Sequence, residues 1–365
     1  MKRIDALINE ISNLQLTEDN ALYNSGIFPS QRRHRFLKYK KEDCNIYYPA
    51  LIAFTLLQLL EKIQPLQREQ LQKVINGIRG NYHLYQSTSN HYLYNFYQTN
   101  PTRHYPNGYF LSRFNHFKLA DDADDTVIIT MTIDSVNEDH INKIRAQLIE
   151  FSNLRHKQIK NTLSKYKDLP AYGVWFGSGR MPIEFDLCVM TNLLCFTFKY
   201  NCELNQCDLA SLKYIRRAIL EEDIEHRPFS ISYMYPDTSV MLYHIARLCS
   251  MMKRPDDYLP IKMVINKLQD NLSKAQGVIE QIMLSSSLMK MGVETFDIKY
   301  EIADLKIEFE TFSFFRAPML CGTANPLLNY LSKFDASHLL FGCDGYYLTL
   351  ALEYEVMAKT ASNKR

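Results

Sequence analysis

The sequence predicts an all-α protein, a single α/α toroid in which about six buried helices alternate with outer ones. Three observations predict it. Glycine and proline are sparse, 12 and 13 among 365 residues, and strand-type alternation of apolar and polar residues is hard to find. Apolar segments that leave no polar face for water recur along the chain. Amphipathic segments rich in Lys, Glu and Gln separate them. No sequence repeat of fixed period accompanies the alternation, and the uneven spacing of the apolar segments argues against an open helical solenoid.

Residues 1–43 read as an outer N-terminal segment. The first inner helix runs from Ile46 to Leu60, with an outer partner from Arg68 to Ile78. Residues 81–120 form a long connection that carries Tyr82, Tyr85, Tyr92, Tyr94, Tyr97, Tyr105 and Tyr109. Connections of that length usually serve function, so these rings either cover a cavity mouth or pack the connection down. The second inner helix spans Asp124 to Ile133, followed by outer His140 to Leu154. The third spans Asp186 to Phe198, followed by Leu209 to Glu222. The fourth spans Thr238 to Met252, followed by Leu259 to Leu272. The fifth spans Val278 to Met291, followed by Ile298 to Phe309, and Gly345 to Met357 is the sixth. A helix that is apolar all round must be buried on every side, whereas an amphipathic one faces water along one stripe. No Pro/Gly/Ser-rich linker divides the chain, so residues 1–365 read as one domain.

Hydrophobic residues make up 46% and charged residues 22%, the balance of a soluble globular protein. A net charge of +2 gives no global pull toward nucleic acid. The 24 Tyr and 20 Phe against one Trp exceed the needs of a core, so some rings are expected to line a cavity. The N-terminus lacks a secretory apolar core and no stretch reaches the length of a membrane span. Eight cysteines show no paired framework; Cys188, Cys195 and Cys202, seven apart, stack on one helical face as reduced core thiols. The expected compartment is cytoplasmic.

The run Asp121-Asp122-Ala123-Asp124-Asp125-Thr126, ahead of an apolar segment, concentrates four carboxylates with no basic neighbour. Three readings compete. The acids cap a helix, they bind a cation, or one is held protonated as an acid.

Read from Asp122, the motif is Asp-x-Asp-Asp-Thr at the mouth of a buried helix, in "LADDADDTVIITMTI". It resembles the signature of class II, squalene-cyclase-like terpene cyclases, within the terpene cyclase and prenyltransferase superfamily of α/α toroids. The segment "YGVWFGSGRMPIEFDLCVMTNLLCFTF" is similar to the following inner helix of such proteins, with Asp186 opening the helix and Asn192 six residues on. "FSISYMYPDTSVMLYHIARL" and "SHLLFGCDGYYLTLALEYE" fit later inner helices. The resemblance implies an isomerase-type enzyme of isoprenoid biosynthesis, which starts a carbocation cascade by protonating a linear isoprenoid. It makes Asp124 the acid, tuned by Asp122 and Asp125, with Thr126 capping the helix. Thr126, Asp121, Trp175, Asp186, Asn192, Tyr235 and Tyr346 then belong to the substrate site. No cofactor is required for the acid step, and Mg²⁺ accompanies only a diphosphate substrate. The chain departs from the squalene-type pattern in having one Trp, no Gln-Trp repeats and one helical domain. A one-domain cyclase takes a shorter isoprenoid, or closes its cavity with a partner subunit or a second copy.

Other readings of the same acids remain open. From Asp121 the run also matches Asp-Asp-x-x-Asp, a Mg²⁺-diphosphate motif, but no second metal motif follows; Asp237-Thr238-Ser239 and Glu221-Glu222-Asp223 have the wrong spacing. Asp186, Cys188 and His338 form a candidate zinc set of the prenyltransferase type. Asp124 with Asp186 or Glu184 is a candidate carboxyl pair for an (α/α) barrel acting on carbohydrate. A toroid that binds a small apolar ligand without turnover is the non-catalytic alternative.

Among the remaining residues, His83 reads as a surface or packing residue and His244 as a satisfied core histidine. Arg247 on the same face reads as a diphosphate ligand or, better, a structural ion-pair partner. Glu353 and Glu355 are expected at the solvated end of the last inner helix. Glu310 to Leu320 is an apolar connection that either plugs a cavity or dips into a membrane interface. The basic runs Arg32-Arg33-His34-Arg35 and Lys38-Lys40-Lys41 read as a solvated face.

Overall fold

Six helices are buried on nearly every side because their sequences offer no polar stripe: α2 (Tyr47–Leu59), α4 (Ala123–Thr132), α6 (Leu187–Lys199), α10 (Thr238–Met251), α12 (Val278–Lys290) and α15 (Asp344–Ser362). They start and stop within a few residues of the six predicted apolar segments, except that α15 runs on to Ser362. The computed structural model describes residues 2–102, 119–177, 182–318 and 326–362. In α4 all ten residues are buried, including three threonines and two aspartates. Each of the six helices packs on two of the others: α2 on α4, α4 on α6, α6 on α10, α10 on α12, α12 on α15, and α15 on α2.

Outside them lie helices with one apolar stripe. α1 (Lys2–Leu14) packs on α15 and on α3 (Pro65–Arg79), and α3 packs on α2. Of α3 only Gln67, Leu71, Val74, Ile75 and Ile78 are buried, a spacing of three and four that draws one helical face. α7 (Gln206–Leu220) packs on α6, α11 (Ile261–Lys274) on α10 and α12, and α13 (Ile302–Glu308) on α12. α5 (Glu138–Glu150) is tied to α6 and α7 through Arg145, which reaches Thr197 and Asp208. The short α8 (Asp223–His226) and α9 (Pro228–Ile231) lead into α10, and α14 (Pro326–Leu331) precedes the last strand.

The starts of these helices are written locally. Pro65 opens α3, where its missing N–H is one of the unpaired donors anyway, and Gln64 and Gln67 close a reciprocal capping box. Asn205 and Asp208 do the same for α7. An aspartate caps each of α4, α6 and α10: Asp122, Asp186 and Asp237 each accept from the backbone N–H groups two and three residues on.

The fold is not purely helical. A four-stranded antiparallel sheet in the order β2-β1-β4-β3 joins β1 (Ser30–His34), β2 (Tyr39–Asp43), β3 (Phe315–Pro318) and β4 (His338–Gly342). Its strands escape periodicity reading because β1 and β2, "SQRRH" and "YKKED", carry almost no apolar residues. The charges of β1 and of Asp43 are paired instead of solvated, while Lys40, Lys41 and Glu42 of β2 are exposed. Arg32, 5% exposed, meets the fully buried Asp43 at 2.9 Å, and Tyr97 and Asn45 donate to the same carboxylate. Arg33 is buried and donates to the carbonyls of Phe309 and Phe312. The expected solvated basic face therefore holds for Lys38, Lys40 and Lys41 but not for Arg32, Arg33 or His34. The connection from Glu310 enters the sheet as β3, and Phe314 and Phe315 plug the interior.

In the 81–120 connection, Tyr82, Tyr85, Tyr94 and Tyr97 are buried; Tyr82 bonds Thr132 at the far end of α4. These rings pack the connection down. Tyr105 and Tyr109 lie outside the described residues. Cys188 and Cys195 are buried on α6, whereas Cys202 lies just beyond its end.

The loop after α1 crosses α3 at two glycines. Gly26 has φ of +88°, and a Cβ there would stand 2.3 Å from the carbonyl oxygen of Gly77. Both the left-handed backbone and the close approach exclude a side chain. Gly26→Ala is expected to lower stability by roughly 2 kcal/mol or more in urea unfolding. Gly292→Ala, at φ +76° with nothing within 4 Å of the new Cβ, should cost only about 1 kcal/mol. Equal losses at the two positions would show that the crossing is not tight.

Candidate functional site

The acidic run divides its work between the helix end and the interior. Asp121 stays outside α4, where Ser87 donates to it at 2.6 Å. Asp122 is the cap: its Oδ1 accepts from the N–H groups of Asp124 at 2.7 Å and Asp125 at 3.2 Å. Thr126 donates to the Asp122 carbonyl at 2.6 Å and accepts from the Tyr94 N–H at 2.9 Å, so its hydroxyl is taken up within the fold. Asp124 and Asp125, one turn in, are 4% and 1% exposed.

Asp124 is the hub. The Nδ2 of Asn192, on α6, donates to its Oδ1 at 2.6 Å. The Tyr235 hydroxyl, just ahead of α10, donates to its Oδ2 at 3.0 Å. The Tyr235 hydroxyl also meets that of Tyr47, and its one proton is shared between the two contacts. On the other side of the amide, Asn192 Oδ1 accepts from the guanidinium of Arg247, on α10. Arg247 is sealed from water, with Phe54 and Tyr243 rings 5.4 and 5.7 Å from its guanidinium carbon. Tyr346 packs its ring on Phe314 and Tyr48, beside the Arg247 charge.

The sequence reading thus named Asp124, Asn192, Tyr235 and Tyr346, and the structure brings all four to one place. It missed Tyr47, whose only signal is a pair of tyrosines opening an apolar helix. It also misjudged Glu353. That residue lies in mid-helix, 2% exposed, not at a solvated end. It pairs with the buried Lys290 of α12 at 2.6 Å and accepts from the Tyr243 hydroxyl at 2.9 Å. Nothing local in the sequence links positions 290 and 353. Glu355 faces outward to Arg3 at 2.9 Å. His244 is fully buried with Nδ1 on the Val240 carbonyl, and burial keeps it neutral.

Trp175 and Asp186 sit apart from this hub. Trp175 pairs backbone-to-backbone with Asp122, and its indole N–H donates to Glu184 at 2.9 Å. Asp186 accepts from Ser232 Oγ at 2.6 Å and the Met234 N–H at 3.0 Å besides capping α6. Among the described residues no three His, Cys, Asp or Glu side chains gather to hold a metal ion. His338 is buried in β4, its Nε2 on the Ser332 carbonyl at 2.7 Å and its ring stacked on Phe229.

Burial sets the charge states. It pushes Asp122 up to about 8, with the Asp124 charge adding to the effect. It pushes Asp186 up to about 7. Asp125 is driven well above the usual carboxylate range by burial and by the charges of Asp122 and Asp124, and its Oδ1 has no partner among the described residues. Asp124 rises only to about 6: burial raises it, while the bonds from Asn192, Tyr47 and Tyr235 and the Arg247 charge hold it down. In the interior, Arg247 and Lys290 are therefore matched by Asp124 and Glu353, with Asp122 and Asp125 neutral at pH 7. Neither a protein-family model, nor a curated protein, nor a solved structure matches the chain.

Two outcomes follow from these charges. Asp122 is protonated in the folded protein between about pH 4 and 8 and ionised when unfolded, so unfolding releases a proton across that window. Stability should fall as pH rises from 5 to 8, and Asp122→Asn, which keeps the cap, should flatten the profile in thermal unfolding. A wild-type profile that rises over this range would contradict the neutral assignment. Second, Lys290→Met leaves Glu353 buried and unpaired and should cost about 3–5 kcal/mol, while adding Glu353→Leu should recover most of the loss.

Proposed function

We propose that the protein is an (α/α)6 toroid that protonates an alkene of a linear isoprenoid and cyclises it, the reaction type of class II terpene cyclases. The toroid reading rests on the closed order of packing, α2 to α4, α6, α10, α12, α15 and back to α2, with amphipathic helices outside. The observation that carries the chemistry is Asp124: a carboxyl 4% exposed, raised to about 6, held among Tyr47, Tyr235 and Asn192.

In this reading the Asp124 O–H bond breaks, a C–H bond forms on the alkene, and the positive charge passes to carbon. The cyclised cation then loses a proton from a neighbouring carbon, forming a C=C bond, and a proton returns to the Asp124 carboxylate to restore the acid. Asp125 holds a second proton one residue away. The rings of Tyr48, Phe314, Phe315 and Tyr346 supply the negative faces that a carbocation needs. Asn192 fixes the orientation of the carboxyl, and Arg247 sets its acidity through Asn192. The substrate site is then Tyr47, Tyr235 and Tyr346 around Asp124, with Trp175 and Asp186 as the more distant members that the resemblance adds. A diphosphate substrate would bring Mg²⁺ with it.

One observation favours a second reading, a toroid that binds an apolar ligand without turnover. Both oxygens of Asp124 are partnered and its charge answers Arg247, which is also what a structural core pair requires.

The test is incubation with farnesyl and geranylgeranyl diphosphate, with products read by mass spectrometry. Cyclic products that retain the diphosphate are expected, with activity falling as pH rises through about 6, where Asp124 loses its proton. Asp124→Asn should abolish them. Because that change strands the Arg247 charge, the double variant Asp124→Asn/Arg247→Met separates loss of the acid from loss of the fold by circular dichroism. Turnover by a folded Asn variant overturns the acid assignment; ligand-dependent stabilisation without product favours the binding reading.

A further inference from the structure

A second feature stands on the outer side of the sheet. The β1–β2 turn carries Phe36 and Leu37 at 62% and 72% exposed. Around α14, Leu327, Tyr330 and Phe334 are 64%, 59% and 50% exposed. Scattered apolar residues on a surface need no explanation, but a contiguous set does. The two sets lie on neighbouring segments of the surface. Arg35, next to Phe36, reaches Asp335, next to Phe334, at 3.4 Å. His34 bonds the Ala336 carbonyl at 2.9 Å. Tyr330 and Phe334 meet edge to face.

Beside this apolar edge opens a cavity of about 500 Å³, lined by both sheet and turn residues. Its charges do not cancel. Lys40 pairs with Glu310 at 2.8 Å, Arg35 and Arg316 share Asp335, and Asp237 is committed to capping α10. Arg33 and Lys38 line the same cavity and form no salt bridge among the described residues, although the Asp344 carboxyl feels the Arg33 charge. Arg33 is fixed by two backbone carbonyls, which leaves further guanidinium donors. The result is an apolar rim beside a cationic hollow. A protein partner would find the rim but would have to supply its own buried anion. An anionic phospholipid surface supplies apolar depth and phosphate together.

We propose that this face docks the protein on an anionic membrane surface, with Phe36 and Leu37 entering the interface and a lipid phosphate meeting Arg33 and Lys38. No helix among the described residues is long and apolar enough to cross a membrane, so the contact is peripheral. The proposal does not depend on what Asp124 does.

The experiment is co-sedimentation of the full chain with vesicles of phosphatidylcholine alone and with phosphatidylglycerol added. Binding to the anionic vesicles is expected, weakening with salt as screening sets in. The exposed double variant Phe36→Ser/Leu37→Ser should bind at least about tenfold more weakly. Lys38→Gln should lose about fivefold, the effect of one basic residue at such a surface. Leu37→Trp should shift its emission to the blue with anionic vesicles. Binding of the double variant at wild-type strength, or no vesicle binding at all, overturns the proposal. Stabilisation by inorganic phosphate without vesicle binding also overturns it, and assigns the hollow to a soluble phosphate ester.

Discussion

A guanidinium sealed among six helices must find its counter-charge there, and much of the interior is arranged around that demand. Arg247 on α10 meets Asn192 on α6, which meets Asp124 on α4, which meets the tyrosine pair that includes Tyr47 on α2. Lys290 on α12 meets Glu353 on α15, and Tyr243 returns the chain of contacts to α10. Each of the six buried helices thus contributes to one of two charge pairs. Removing one partner of such a pair strands the other in a low-dielectric core. Apolar packing alone would tolerate a slipped register; these bonds do not.

The same demand explains why neighbouring carboxyls of one run behave differently. Asp122 points to the helix end, where backbone N–H groups receive it. Asp124 points inward to neutral donors and a distant cation. Asp125 has neither, and answers burial by keeping its proton. The helix-cap reading and the acid reading of this run were competitors on paper. In the fold Asp122 caps the helix, and burial raises Asp122, Asp124 and Asp125 alike.

What the chain discloses in advance follows from how local the cause is. The buried helices were legible because apolar residues fill every face, and the outer ones because a stripe repeats at three and four. Asp124 was legible as an acid at a helix start, and Asn192 as an amide set six residues beyond the aspartate that opens its helix. The sheet was not, because β1 and β2 hide arginines whose burial depends on Asp43 and on carbonyls near position 310. Lys290 with Glu353, and Tyr47 with Tyr235, were not, because their meaning is a pairing across the fold. Arg247 could be flagged as a charge in an apolar helix; that its partner is an amide relaying to Asp124 could not.

The sheet and the helix pair α1–α15 also impose an order of events on synthesis. Arg3 finds Glu355 352 positions later, and the Tyr48 hydroxyl donates to the Phe341 carbonyl 293 positions on. Helix α2 leaves the ribosome with apolar residues on every side, while the helix that covers one of them is still unmade. At ordinary translation rates that interval is roughly 15–60 s. Throughout it the nascent α2 is a sticky segment without its lid. A pause in translation between α2 and α15 lengthens that exposure and with it the chance of aggregation.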